Sequence, residues 1–160
     1  MQAQVTIHVR VQHEDFDTAQ LQASLLGGSF TEGAIATFTG YVRSDNERRT
    51  VQTLELEHYP GMTERSISEI VQQAASRWPL LRASVVHRVG VLGVGEQIVW
   101  VGVSSRHREA AFSACEFIMD FLKTRAPFWK KEHGPDGESW VDARQHDNDR
   151  ADRWGRDSAE

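Results

Sequence analysis

Lysine is nearly missing from this chain. Lys123, Lys130 and Lys131 are the three lysines among 160 residues, while fifteen arginines are dispersed along the sequence. Negative charge outweighs positive, and a formal net charge of −5 argues against a general nucleic-acid binder, which usually presents a basic face. The excess is uneven. Eight acidic and four basic residues from His133 onward leave residues 1–132 close to neutral, so a local basic pocket is compatible with it. Cysteine is scarcer still: Cys115 alone excludes an internal disulfide and any CxxC metal or redox motif. That fits a reducing compartment. Long apolar runs are absent as well. The opening MQAQVTIHVRVQHED alternates polar with apolar residues and lacks a basic leader, so it reads as neither signal peptide nor membrane anchor. The expected location is cytoplasmic. The chain also lacks a Gly-x-Ser-x-Gly elbow, and its glycine turn VGVLGVGE has no phosphate-loop lysine and opens no helix. His58, His87 and His107 show no compact ligand spacing, so no metal and no cofactor is expected.

The length suits one core, read as a single domain over 1–145 followed by a polar, flexible tail over 146–160 with little to bury. VTIHVRV (5–11), AIATFTGYV (34–42), VQTLELEHY (51–59), ASVVHRVGV (83–91) and QIVWVGVS (97–104) read as strands. FWKKEH and SWVDAR form another pair around the PDGE turn. Three helices are predicted. One is capped by Asp15 or Asp17 and ends at Gly27-Gly28; one runs from Met62 to Trp78; a long one runs from Arg108 to Arg125, with Ser104 or Ser105 as its cap. Strands adjacent in sequence without a crossover helix imply antiparallel pairing, so the fold class is α+β and not a doubly wound parallel sheet.

Three stretches could carry chemistry. In SSRHREAAF, Arg106, His107 and Arg108 crowd a helix start, where cations oppose the helix dipole. An anionic ligand on the free N–H groups removes that conflict, and a solvated arginine-rich helix start accounts for the residues equally simply. In GYVRSDNERRT, Arg43 stands where strand gives way to loop, a place suited to phosphate but common for plain surface arginines. In LKTRAPFWKKEHG, Lys123 rises from the edge of an apolar stripe of Phe112, Cys115, Met119 and Leu122. Dipole compensation explains Lys123, at about 0.3–1 kcal/mol, but not Lys130. Strand alternation then puts Lys130 and Glu132 on one face and Trp129 and Lys131 on the other.

Six stretches in order go beyond generic pattern: FTGYVR, LELEHYPGMTE, RWPL, HRVG, VGVSSRHREAAF and FIMDFLKTRAPFWKKE. Together, from Phe38 to Arg144, they closely resemble the large, catalytic subunit family of molybdopterin synthase. The resemblance implies an α+β fold containing an α/β-hammerhead. It also implies sulfurtransferase activity that builds the dithiolene of molybdopterin from cyclic pyranopterin monophosphate, in molybdenum-cofactor biosynthesis. The sulfur donor so implied is a small ubiquitin-like subunit with a C-terminal Gly-Gly thiocarboxylate. The implied assembly is a homodimer within a heterotetramer, with neither nucleic acid nor membrane as partner. Carried over by position, Lys123 and Lys130 are the catalytic lysines. Arg43, His107, Arg108, Lys131, Glu132 and Arg144 fall on or beside substrate-binding positions, Arg144 reaching a neighbouring protomer's site. Phe38, Tyr41, Val42 and Met119 would line the pocket. Strand alternation gives Lys131 no catalytic role. Two departures stand out: Tyr41 replaces a lysine common in the family's GxVR, and SDNERRT lacks the family's customary glycine. A docking module for a ubiquitin-like carrier and a nucleotide- or RNA-binding domain are the competing readings. The lysine pair disfavours the first, and the acidic charge with no stacking motif disfavours the second.

Overall fold

The computed structural model describes residues 4–46, 49–141 and 145–156, with only the backbone of Gln145, His146 and Arg156. Its first sheet joins β1 (Thr6–Gln12), β2 (Ala34–Tyr41), β6 (Leu80–Arg88) and β8 (Gln97–Ser105) in the order β1-β6-β8-β2. β1 runs parallel to β6, and the other pairs are antiparallel. The second sheet joins β5 (Thr53–His58), β7 (Gly90–Gly93), β9 (Phe128–Gly134) and β10 (Gly137–Val141) in the order β10-β9-β5-β7, antiparallel throughout. Helix α2 (Met62–Arg77) and helix α3 (Arg108–Leu122) pack on the first sheet, and α1 (Thr18–Ala23) packs near β8. The expected α+β class with antiparallel and mixed sheets is what the chain adopts.

Covering both faces of the first sheet explains why β6 and β8 read as nearly continuous apolar runs. Val99, Val101 and Val103 of β8 join Ile67, Val71, Phe117 and Ile118 in the main core. Trp100 points the opposite way, into a cluster with Leu25 and Val86. Its ring folds over Gly102, where a Cβ would lie 2.3 Å from the indole, so the glycine is required by close approach.

Four expectations are corrected. The strand foreseen over 83–91 is two strands, because Gly90 turns the backbone to φ 97° and sends β7 into the second sheet. The strands foreseen at 34–42 and 51–59 do not pair: β2 joins β8, whereas β5 lies between β7 and β9. The SDNERRT loop between them contributes β3 (Asp45–Asn46) and β4 (Arg49–Thr50), a two-stranded ribbon. Neither Ser104 nor Ser105 caps α3, since both are fully buried in β8 and His107 takes the N-cap position.

The largest correction concerns the tail. Helix α4 (Gln145–Arg156) lies within it, and Ala151 and Trp154 enter the main core. Asp120 of α3, 6% exposed, accepts hydrogen bonds from Trp154 Nε1 at 2.7 Å and Arg150 Nε at 3.0 Å. Trp78, Phe117 and Trp154 meet edge to face, with the Arg77 guanidinium 5.7 Å from the Trp154 ring centroid. One tryptophan thus gives an otherwise polar segment enough to bury. Among the described residues, no helix is long and apolar enough to cross a membrane.

Candidate active site

The lysine-rich stretch turns a corner held from two sides. Lys123 is the C-cap of α3, and the chain then bends through Pro127 into β9. Buried Thr63 of α2 donates from Oγ1 to the Pro127 carbonyl at 3.0 Å and accepts from the Tyr59 N–H at 3.0 Å. The start of α2 therefore clamps the corner that separates Lys123 from Lys130. Beyond it, β9 presents Phe128, Lys130 and Glu132 on one face.

The charges of both lysines act on His87 of β6. Its ring is buried and stacks on Phe128, with centroids 3.9 Å apart and planes at 19°. Burial pushes the imidazole pKa down to about 3, and the positive charges of Lys130, Lys123 and His58 push the same way. The hydrogen bond to the Arg88 carbonyl opposes this without overcoming it. Cys115 has the opposite displacement: burial, then the nearby Glu116 carboxylate, raise its thiol to about 12. A thiol so held stays protonated and is a poor nucleophile.

An open groove of about 640 Å³ leads to Lys123. Phe38 and its neighbours on β2 form one wall, the Phe112, Cys115 and Met119 face of α3 another, and Asp147 and Arg150 of α4 a third. Phe38 and Met119 both line this groove. Phe112, part of the apolar stripe, is 67% exposed in this groove, not packed in the core.

Other expected residues lie elsewhere. Val42 is buried with Leu56, Val89 and Leu92 beneath the second sheet, so it is core and not pocket lining. Tyr41, 54% exposed, follows a register shift after Gly40 and is not among the groove residues. Arg43 is exposed at the foot of the β3–β4 ribbon. Glu132 accepts a hydrogen bond from Asn46 of that ribbon at 2.9 Å. Lys131 is turned away from Lys130: its Nζ is 2.7 Å from Glu138 and 5.1 Å from the Trp140 ring centroid. Alternation along β9 accounts for this, and it removes Lys131 from the substrate-binding set.

His107 and Arg108 begin α3, whereas Lys123 ends it, about 22 Å away along a helix of 15 residues. One copy of the chain therefore does not bring them together. Their helix start has no side-chain cap, and Arg106, His107 and Arg108 are exposed there, leaving its N–H groups open to an anion. Arg144 lies outside the described residues. No group of three or more metal-binding side chains occurs among the described residues.

Sequence reasoning weighed His58 and His87 only as metal ligands and missed Asp147 and Arg150. A histidine within the apolar run ASVVHRVGV was the signal for His87. A lone tryptophan in a polar tail was the signal for the helix that carries Asp147 and Arg150.

A two-sheet α+β fold with a lysine at the end of an open groove defines a class of protein, and comparison with known proteins specifies it. Residues 11–125 match the family described as MoaE protein. The chain is 56% identical over 146 residues to the molybdopterin synthase catalytic subunit of Vibrio cholerae, covering 91% of this chain and 97% of that one. Among solved structures, the molybdopterin biosynthesis MoaE protein of Burkholderia ambifaria aligns with TM-score 0.79 and 48% identity, covering 94% of this chain and 99% of that one. A molybdopterin synthase structure from Staphylococcus aureus aligns with TM-score 0.76 and 32% identity, covering 82% of this chain and 94% of that one. The chain belongs to the MoaE family of molybdopterin synthase catalytic subunits.

Proposed function

We propose that this chain transfers sulfur from the C-terminal thiocarboxylate of a small ubiquitin-like carrier to cyclic pyranopterin monophosphate, forming the dithiolene of molybdopterin. The observation that carries the reading is Lys123 at the end of an open groove, with Lys130 beyond the Pro127 corner on the face of β9 whose Phe128 stacks on buried His87. A groove walled by Phe38, Phe112 and Met119 suits an extended, glycine-ended tail, whose thin backbone can reach the lysine.

The chemistry calls for such groups. The thiocarboxylate and the substrate phosphate are both anionic, and acyl transfer passes through a tetrahedral oxyanion. Fixed ammonium groups stabilise that charge without having to reorganise as water does. A lysine can also move the proton that a departing hydroxyl or phosphate requires. Sulfur arrives on the partner, so Cys115 is left to packing.

In this reading Arg43 binds the substrate's anionic groups at the ribbon's foot. His107 and Arg108 contribute anion binding at the opposite end of α3, and they serve a lysine pair only if a second copy of the chain supplies them. Arg144 is assigned to the same cross-protomer role. The assembly is accordingly a homodimer with a small subunit on each copy, working in the cytoplasm.

The test is reconstitution of purified protein, thiocarboxylated carrier and cyclic pyranopterin monophosphate, with products followed by mass spectrometry. Dithiolene product supports the reading. A sulfur-free pterin, under conditions where a known synthase is active, sinks it and leaves the docking module as the better account.

A further inference from the structure

A second pocket, of about 380 Å³, opens on the other side of α3 from the groove. The groove takes Phe112, Cys115 and Met119 from that helix, whereas the pocket takes Phe117 and Phe121. At about 100° per residue these two sets face nearly opposite ways. Arg77, at the end of α2, and Arg125, just past the end of α3, supply the pocket's positive charge. Helix α4 borders both spaces: Asp147 and Arg150 wall the groove, and Asn148, Asp152 and Trp154 wall the pocket.

Four arginines lie on or beside α4, and they are of two kinds. Arg150 and Arg153 are matched with carboxylates, each reaching Glu116 and Asp120. Arg77 and Arg125 have no carboxylate partner among the described residues, yet each guanidinium is held in place. That of Arg77 stands 5.1 Å from the Phe117 ring centroid and donates to the Trp154 carbonyl at 3.2 Å. That of Arg125 stands 4.2 Å from the Phe121 ring centroid. Phe117 and Phe121 meet edge to face with centroids 4.6 Å apart, so the two forks rest on neighbouring rings. Cations at the ends of α2 and α3 complement the helix dipoles, which accounts for each charge but not for their sharing one pocket.

Guanidinium forks pair with carboxylate or phosphate oxygens two at a time. The side-chain amides of Gln73 and Asn148, on the pocket's walls, offer N–H donors to the same oxygens. Asp152 is the acid among the lining residues and is exposed, so positive charge prevails. The volume suits a small molecule and not a folded domain.

We propose that this pocket binds a small polyvalent anion, one that presents phosphate or carboxylate oxygens to Arg77 and Arg125. The bound anion bridges the ends of α2 and α3 and braces α4, whose other side walls the groove. The site is separate from sulfur transfer and does not rest on that reading.

The test titrates the full chain, with isotope-labelled arginine, with pyrophosphate and with citrate, sodium chloride keeping the ionic strength constant. Nuclear magnetic resonance follows the Nε–H signals of Arg77 and Arg125, assigned through Arg77→Gln and Arg125→Gln. Both signals are expected to shift together and to saturate with a dissociation constant below about 1 mM, and each substitution is expected to weaken binding about tenfold. Amide exchange along α4 slows on saturation. Saturation by pyrophosphate alone marks a phosphate ligand, by citrate alone a carboxylate ligand, and by both a site that accepts either; each supports the proposal. Shifts that rise without saturating, or that sodium chloride reproduces, overturn it, as does unchanged affinity in either variant. Unchanged exchange along α4 refutes the bracing. If Arg77→Gln fails to fold, Arg125→Gln decides alone, because it forfeits no bond to the Trp154 carbonyl.

Discussion

Lys130 and Lys131 are adjacent in the chain and stand in opposite environments. Lys130 shares its face of β9 with Phe128, which stacks on buried His87, and its charge acts on that ring together with that of Lys123. Lys131 lies on the outer face in a ladder of charges. Glu138 holds Lys131, and His133 sits 3.0 Å from Glu55 and 3.2 Å from Glu138. The bond to Glu138 raises the Lys131 pKa and lowers that of Glu138. The inner lysine shares its face with a ring stacked on a buried histidine, and the outer one is matched by carboxylates. Residue type alone therefore says little about role; the side of the sheet decides it.

The comparison breaks most visibly under substitution of each lysine. Lys130→Ala and Lys123→Ala are each expected to lower sulfur transfer about 10²–10⁴-fold while leaving carrier binding largely intact. Lys131→Ala should stay within about threefold of the unaltered protein. Product formation and carrier affinity, measured on all three, check this; equal losses at 130 and 131 refute the distinction.

A second break lies beside the inner corner, where α4 walls the groove. Trp154→Ala should destabilise the fold by about 3–5 kcal/mol, the usual cost of deleting a buried tryptophan. Denaturant unfolding reads this directly, and a loss below about 1 kcal/mol would show that α4 contributes little to the core.

Acid sharpens the contrast further. The unfolded chain protonates His87 near 6.5, whereas the folded chain resists until about 3. Stability is thus fully present above pH 6.5 and falls as pH drops toward 3, by about 1.4 kcal/mol per unit within that window. His87→Phe removes this contribution, so its unfolding midpoint should respond less to pH there. At the outer face, Glu138→Gln is expected to leave the midpoint at pH 7 unchanged. Cys115 supplies the smallest effect: at pH 8 a thiol reagent should label the folded protein scarcely at all and the unfolded protein fully.

Much of the fold was legible because its signals are local. Asp17 caps α1 through the N–H groups of Ala19 and Gln20, and Ile67, Ile70, Val71 and Ala74 bury the predicted face of α2. The PDGE turn joins β9 and β10, whose alternation already separated Lys130 from Lys131. What stayed illegible depended on distant partners. Val42 looked like pocket lining because it follows Tyr41, yet it is buried with Leu56 and Leu92 of the second sheet. α4 escaped notice since its polar composition conceals that Trp154 has Phe117 and Trp78 to pack against.

The lysine cluster divides along the same line. Periodicity and motif by themselves determined that Lys123 closes a helix, that Lys130 and Lys131 face opposite ways, and which family the stretch resembles. Those properties follow from backbone geometry over a few residues. That the charges of Lys123 and Lys130 act on one buried histidine, that this ring is neutral, and that His107 and Arg108 lie at the far end of α3 was decided only by tertiary structure. Burial and charge proximity depend on which strands and helices pack together, and β6, β9 and α3 meet from sites far apart along the chain.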